Sequence, residues 1–97
     1  MKVKNIKKAI TSLVLVGAVA SNSILAMAAT DNVDGGTWSH GTNLTKCYSN
    51  YYHGSYYHNS TAINGDATAS KDYAYAGDTS YASVSRTLTG NTAYYGF

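Results

Sequence analysis

The segment between residues 48 and 60, YSNYYHGSYYHNS, holds most of the side chains that could do chemistry. It contains two near-repeats, NYYHG and SYYHN, in which a histidine follows two tyrosines. Because side chains alternate across a straight strand, a spacing of five would put His53 and His58 on opposite faces. A bulge or turn at Gly54 would bring both imidazoles to one side. The spacing therefore predicts a cluster of aromatic rings and imidazoles if the chain bends at Gly54.

Metal ligation is the first chemistry that several histidines suggest. The chain has three His, one Cys and five Asp but no Glu, and these residues follow no recognised zinc-ligand spacing. The sequence therefore predicts no metal and no other cofactor. The histidines are expected to be partly exposed and to cap tyrosine hydroxyls.

Nucleophilic catalysis is the second chemistry to consider. A cysteine nucleophile needs a base and an orienting group within hydrogen-bond reach, and His53 is a candidate base for Cys47. A domain of this size has little room for a substrate cleft, and paired carboxylates for glycoside hydrolysis are absent as a local signature. We therefore predict that the protein is not an enzyme and has no catalytic residues. Cys47 is expected to be a partly buried small residue or an unpaired thiol, which allows a homodimer after export.

Aromatic side chains must supply much of the core. All ten tyrosines, Trp38 and Phe97 lie after residue 28, where the large aliphatic residues number only five. Each aromatic side chain buries ~150–250 Å², so several tyrosines are expected in the core with their hydroxyls at its rim. The remaining tyrosines are expected on an exposed face. Aromatic rings among Ser, Thr and Asn suit ligands such as sugars, whereas phosphates would need a histidine or Lys46.

Alternation with a period of two predicts strands. In residues 80–88, Ala82, Val84 and Leu88 share one parity and polar side chains occupy the other. Good helix formers other than Ala are scarce, and Asn64-Gly65 is the strongest hairpin signal. The sequence predicts an all-β fold, a small antiparallel β-sandwich of about six short strands in two small sheets. The strands are expected at 37–40, 45–53, 55–62, 67–76, 80–88 and 92–97.

The first 28 residues have the pattern of a secretory signal peptide. Four lysines precede an uncharged, mostly apolar run from Ala9 to Ala20, and Ala26-Met27-Ala28 fits the rule for a cleavage site. The apolar run is shorter than the ~20 residues of a membrane anchor. We therefore predict cleavage after Ala28, with Gly35 or a nearby position as an alternative start, and secretion to the extracellular space. Residues 29–36 are expected to form a flexible N-terminal arm, and residues 37–97 the β-sandwich domain.

Cleavage would reverse the sign of the net charge. The full chain has seven Lys and Arg against five Asp, for a net charge of +2. The predicted leader contains four of the basic residues, so residues 29–97 keep three basic and five acidic side chains, for a net charge of −2. A domain that coats nucleic-acid phosphates and a cationic pore-forming peptide are both disfavoured by this balance.

Several motifs resemble the lactococcin 972 family of bacteriocins. GGTWSHG at 35–41 looks like the family's GGTW-x-x-G opening, and residues 48–60 are similar to its YSNY-x-H-x-S-x-x-H segment. Ala76-Gly77, the stretch from Ala82 to Thr89 and the aromatic end AYYGF follow the family's spacing. The similarity spans essentially residues 35–97, and Thr79 stands where the family often has Trp.

The resemblance implies a secreted bacterial protein with a sandwich of two small antiparallel sheets. It implies inhibition of related bacteria without pore formation, through the cell-wall precursor lipid II and a block of septum formation. A dedicated immunity transporter would protect the producer. The aromatic and histidine residues are the candidate ligand contacts: Trp38, His40, Tyr48, Tyr51, His53 and His58.

Two other classes of function also fit the composition. Tyr/Ser/Asn-rich alternating strands are prone to edge pairing, which would suit an extracellular structural or adhesive β-protein. A small sugar-binding module would use the same aromatic faces.

Overall fold

A computed structural model describes residues 9–12 and 27–97. The described residues form eight strands and no helix, which confirms the all-β prediction, and they contain no helix long and apolar enough to cross a membrane. The strands are β1 (Ala9–Ser12), β2 (Met27–Val33), β3 (Gly36–Thr42), β4 (Lys46–His53), β5 (His58–Ile63), β6 (Ala69–Ala74), β7 (Thr79–Ser85) and β8 (Thr92–Gly96).

The strands form two four-stranded sheets in which neighbouring strands are antiparallel. One sheet has the order β2-β3-β4-β7 and the other β1-β8-β5-β6. The six strands expected from sequence correspond to β3–β8, with boundaries shifted by a few residues. The predicted antiparallel sandwich of two small sheets is confirmed, with its core between the inner faces.

Strand β7 shows how the alternation builds the sandwich. Ser80, Ala82 and Val84 are buried, whereas the side chains between them point to solvent. Leu88, which was expected to share the inner parity, is exposed because β7 ends at Ser85. The alternation therefore predicts burial correctly only as far as the strand continues.

The hairpin signal at Asn64-Gly65 lies in the five-residue connection between β5 and β6, residues 64–68. The Asn64 side-chain oxygen accepts hydrogen bonds from the backbone N–H of Asp66 and Thr68 at 2.9 and 3.0 Å. Its amide nitrogen donates to the Ser85 carbonyl at 2.8 Å. Because one buried side chain satisfies all three groups, Asn64 fixes a five-residue connection and ties it to the other sheet.

The N-terminal region differs from the expected flexible arm. Residues 27–33 form β2, which pairs with β3 along its whole length, and the turn between the two strands places Asp34 and Gly35 at φ values of 49° and 84°. This strand has no alternation to predict it because five of its seven side chains are exposed, so backbone hydrogen bonds at a sheet edge hold it instead of a buried apolar face.

The predicted leader is only partly covered by the described residues. Residues 9–12 form β1, an edge strand with Ala9 opposite Tyr95 and Ser12 opposite Thr92. Ala28, the predicted cleavage position, lies within β2. The rest of the predicted leader, 1–8 and 13–26, lies outside the described residues. The extent and removal of the signal peptide stay predictions.

Two apolar clusters fill the space between the sheets. The aromatic core comprises Trp38, Tyr51, Ala93 and Tyr95, with Val33 and Phe97 packed against it. A second cluster contains small side chains: Cys47, Ala62, Ala82 and Val84.

Buried serine hydroxyls form hydrogen bonds between the two sheets. Ser60 and Ser80 lie on opposite sheets with their hydroxyl oxygens 2.5 Å apart, and the Ser49 hydroxyl donates to the Tyr94 carbonyl at 2.7 Å. Small polar residues can therefore occupy the interior because their hydroxyls are satisfied.

Candidate binding site

The two histidines of the near-repeat meet inside the sandwich. His53 ends β4 in one sheet and His58 begins β5 in the other, and the chain bends through residues 54–57 between them. The imidazole centroids are 6.2 Å apart, and both rings present an edge to Tyr51, at 5.9 and 5.5 Å. The bend that begins at Gly54 brings the two imidazoles together, and both rings are almost completely buried.

Hydrogen bonds select one tautomer of His53. Its Nδ1 accepts the backbone N–H of Ser55 at 3.0 Å and that of Tyr56 at 3.2 Å. Its Nε2 lies 2.9 Å from the Asp34 carbonyl oxygen, which can only accept. The neutral ring with its proton on Nε2 therefore joins the Asp34 turn to the bend after β4.

Trp38 and His40 share the inner face of β3, as their spacing predicts. Their rings stack with centroids 3.7 Å apart, and the Trp38 indole N–H donates to the Ser49 hydroxyl at 2.9 Å. The His40 Nε2 lies 2.8 Å from a carboxylate oxygen of Asp31 on β2. This contact attaches the edge strand to the core, because it joins a buried imidazole on β3 to a half-exposed carboxylate on β2.

Two tyrosine hydroxyls lie at the rim of these buried rings. We call the set of rings the inner cluster: Trp38, His40, Tyr51, His53, His58 and Tyr95. Tyr51 donates to the Val33 carbonyl at 2.9 Å, and Tyr95 donates to a carboxylate oxygen of Asp34 at 2.5 Å. Burial raises the pKa of Tyr95 to about 12, with the hydrogen bond and the negative charge of Asp34 adding to the effect. Burial also raises the pKa of Tyr51, with smaller contributions from Tyr95 and Asp34. Both hydroxyls thus stay protonated and donate hydrogen bonds at the rim of the core.

The inner cluster contains five of the six ligand contacts predicted from sequence. Each of the five is no more than 3% exposed, so their rings pack against one another instead of facing solvent. The expectation of partly exposed histidines is wrong, because the bend after β4 turns the imidazoles of both near-repeats inwards and His40 lies on the inner face of β3. Ligand contact by these five residues is untested and stays a prediction. They are Trp38, His40, Tyr51, His53 and His58.

Tyr48 is the predicted contact that lies on the outer face of the sheet. It lines a groove of about 540 Å³ across β4 and β7, together with Lys46, Asn50 and Tyr81. Lys46 and Tyr81 are exposed, and the remaining lining groups are mostly small or polar: Ala28, Thr42, Asn43, Ala82 and Ser83. The groove therefore offers phenol rings, an amide and one ammonium group to a ligand.

The outward parity of β4 and β7 could have identified this groove. Lys46, Tyr48 and Asn50 alternate with buried residues, and Tyr81 lies opposite Asn50 in the pairing of the two strands. The sequence does not single out Asn50 or Tyr81, because it does not show which strand pairs with β4. Lys46 was considered only as a phosphate ligand.

A second group of exposed rings lies at the other sheet. Tyr57 precedes β5, Tyr73 lies on β6 and Tyr75 follows β6. The Tyr57 ring centroid is 5.7 Å from that of Tyr73, at an interplanar angle of 13°, and 5.2 Å from that of Tyr75. The ammonium of Lys71 lies 5.3 Å from the Tyr73 centroid. We call these three rings and Lys71 the tyrosine platform.

Cys47 lies away from both groups of exposed tyrosines. Its sulfur is enclosed in the small-residue cluster, 3.5 Å from the Thr92 carbonyl oxygen, and burial raises the pKa of its thiol. Cys47 is an unpaired thiol that is completely buried, more than the partial burial expected, and the folded domain does not present it for a disulfide with a second copy. Among the described residues, no three His, Cys or Asp side chains converge on a point that could hold a metal ion.

The fold and the motifs together define a bacteriocin. The chain belongs to the lactococcin 972 family, since the model of that bacteriocin family matches residues 34–95. The match begins at the Asp34 turn and extends to Tyr95, so it covers the residues that build the inner cluster and every residue that lines the groove except Ala28.

A solved structure is also similar to the chain. The structure of lactococcin 972 shares 42% sequence identity, with a TM-score of 0.56, and the comparison covers 64% of this chain and 97% of that one. No curated protein is significantly similar to the chain.

Proposed function

We propose that this protein is secreted and blocks cell-wall and septum synthesis in related bacteria by binding lipid II non-covalently, without forming pores. The observation that carries the proposal is the match of residues 34–95 to a bacteriocin family. The charge balance supports it, because residues 29–97 have a net charge of −2 and lack the cationic character of pore-forming peptides.

We place the lipid II site in the groove on the outer face of β4 and β7. Lys46 supplies a positive charge for the pyrophosphate, Asn50 supplies an amide for sugar hydroxyls, and Tyr48 and Tyr81 supply ring faces. The inner cluster then supports this surface from behind, since β4 carries both the buried Tyr51 and the groove-lining Tyr48.

Removal of the leader would add a second positive charge to this groove. Ala28 lines it, so cleavage after Ala28 leaves the new α-amino group of Ala29 at its rim. An α-amino group has an ordinary pKa of about 8 and is mostly protonated at neutral pH. Acetylating this amine should weaken lipid II binding, and intact-mass measurement of the secreted protein checks where the chain begins.

Two partners complete the proposal. A dedicated immunity transporter protects the producing cell, and its deletion should make that cell sensitive to the protein. A homodimer, if it forms, is non-covalent because the Cys47 sulfur is enclosed. The molar mass of the purified protein in light scattering, with and without a reducing agent, tests this point.

The experiment compares two lysine variants that remove the same charge from different places. Lys46 lies in the groove, whereas Lys71 lies beside the tyrosine platform. Lys46→Gln should reduce binding to lipid II vesicles about fivefold, whereas Lys71→Gln should leave it unchanged, because a charge-assisted bond contributes roughly 1 kcal/mol at an exposed site. Equal losses in both variants would rule out the groove.

Inhibition of growth tests the biological part. The protein should produce inhibition zones on related Gram-positive cells, and added lipid II should reduce them. A membrane-potential dye should show no early depolarisation. Killing that coincides with depolarisation would contradict a mechanism without pores, whatever the lipid II result.

A further inference from the structure

We propose that the tyrosine platform binds the glycan strands of the bacterial cell wall, at a site separate from the groove. The inference goes beyond lipid II binding and relies on the proposed function only in placing the protein at a bacterial surface. The ligand is a chain of pyranose sugars, whose C–H faces stack on aromatic rings while their hydroxyls form hydrogen bonds.

The geometry of the rings is suited to a flat, amphipathic ligand. Tyr57, Tyr73 and Tyr75 are 53%, 50% and 74% exposed, although neighbouring rings lie within 6 Å of each other. Tyr57 and Tyr73 are nearly parallel, whereas Tyr75 is tilted by 51° from Tyr57. The three rings therefore form a continuous aromatic surface of two orientations, and a sugar chain can place successive rings on it.

Polar groups of the right kind border these rings. Asn59 lies opposite Tyr73 in the pairing of β5 with β6, and Thr61 lies opposite Lys71, so both face the outer side of the same sheet. An amide, a hydroxyl and an ammonium are hydrogen-bonding partners for sugar hydroxyls, and the ammonium also attracts carboxylates of acidic sugars. A carboxylate of Asp72 is turned away and accepts the Tyr81 backbone N–H at 2.8 Å.

The size of the platform argues against a second protein molecule as its occupant. Its three rings expose roughly 270–440 Å², taking ~150–250 Å² for each tyrosine. A stable protein interface buries ~800 Å² on each partner. The platform is therefore too small for a stable dimer but is comparable with the footprint of a few sugar rings.

The test is co-sedimentation of the secreted protein with purified peptidoglycan sacculi. The double variant Tyr73→Ser/Tyr75→Ser should bind about tenfold more weakly, a loss of ~1.4 kcal/mol. Tyr73→Phe retains the ring and should bind like the unaltered protein. Tyr81→Ser is the matched control, because Tyr81 is 66% exposed but lies in the groove.

The two sites predict opposite patterns of loss. Platform variants should lose sacculus binding and keep lipid II vesicle binding, whereas Tyr81→Ser should do the reverse. Thermal unfolding checks that each variant is folded. If the double variant does not fold, the single variant Tyr75→Ser replaces it. Undiminished sacculus binding by folded platform variants, or no binding by the unaltered protein, would overturn the inference and leave the groove proposal intact.

Discussion

Aromatic rings in this protein differ in role according to the side of the sheet on which they lie. Inside the sandwich, Trp38 and Tyr51 are at most 2% exposed, and hydrogen bonds satisfy the polar atom of each ring. Outside it, Tyr75 and Tyr81 are 74% and 66% exposed. The same residue types thus form the core on one face and offer contact surface on the other, so residue type alone does not identify a binding site.

Removal of a ring inside the sandwich should have the largest effect on the free energy of unfolding, and it tests this contrast directly. Trp38→Ala removes the stack on His40, the contact with Tyr95 and the donor to Ser49. A buried Trp→Ala substitution costs ~3–5 kcal/mol, a large part of the ~5–15 kcal/mol by which small domains are stable. Denaturant unfolding should show a much lower midpoint. Tyr81→Ala is the control, because its ring lies on the outer face. Equal midpoints for the two variants would refute the division between inner rings that stabilise the fold and outer rings that do not.

Two glycines sharpen the contrast between packed and open backbone. A Cβ at Gly36 would meet the Tyr52 carbonyl oxygen and, at 2.8 Å, the Tyr51 ring. A Cβ at Gly77 would meet nothing within 4 Å, although its φ of +92° still disfavours an L residue. Gly36→Ala should therefore cost roughly 3 kcal/mol of unfolding free energy and Gly77→Ala about 1. The reverse order in thermal or denaturant unfolding would show that the Gly36 contact is not tight.

Alkaline pH should weaken the inner cluster through its tyrosine hydroxyls. The folded pKa of Tyr95 is raised to about 12, above the ordinary value of about 10 in an unfolded chain. A raised folded pKa means that the stabilisation is complete below pH 10 and is lost as the pH rises towards 12. The free energy of unfolding should fall across this window, with a shallower fall in Tyr95→Phe. Equal slopes in the two proteins would assign the alkaline loss to other groups.

The fold was largely predictable from the sequence because most of its strands show a local pattern of alternating side chains. The alternation in β7 identifies which side chains point inwards. The abundance of tyrosine correctly predicts that several tyrosines enter the core, which contains Tyr51 and Tyr95, but it does not say which ones. Strand β2 was not predictable in this way, since its polar residues are held by pairing with β3 and by the Asp31–His40 contact.

The site was harder to predict than the fold. The spacing of five lets His53 and His58 meet only if the chain bends at Gly54, and it does not say whether they meet at the surface or in the core. That outcome depends on the packing of the two sheets. The groove depends on pairing between β4 and β7, which places Tyr81 opposite Asn50 although the two residues are far apart in sequence.

The smallest effect on stability should come from the outer face, where the largest effect on binding is expected. Tyr48→Ser and Tyr81→Ser change half-buried or exposed side chains of the groove, so each should alter the unfolding free energy by roughly 0.5 kcal/mol or less. Together they should weaken binding to lipid II vesicles about tenfold, because each ring provides ~0.5–1.5 kcal/mol of contact. If this pair instead unfolds the protein, the outer rings contribute to the core, and the division between inner and outer aromatics fails.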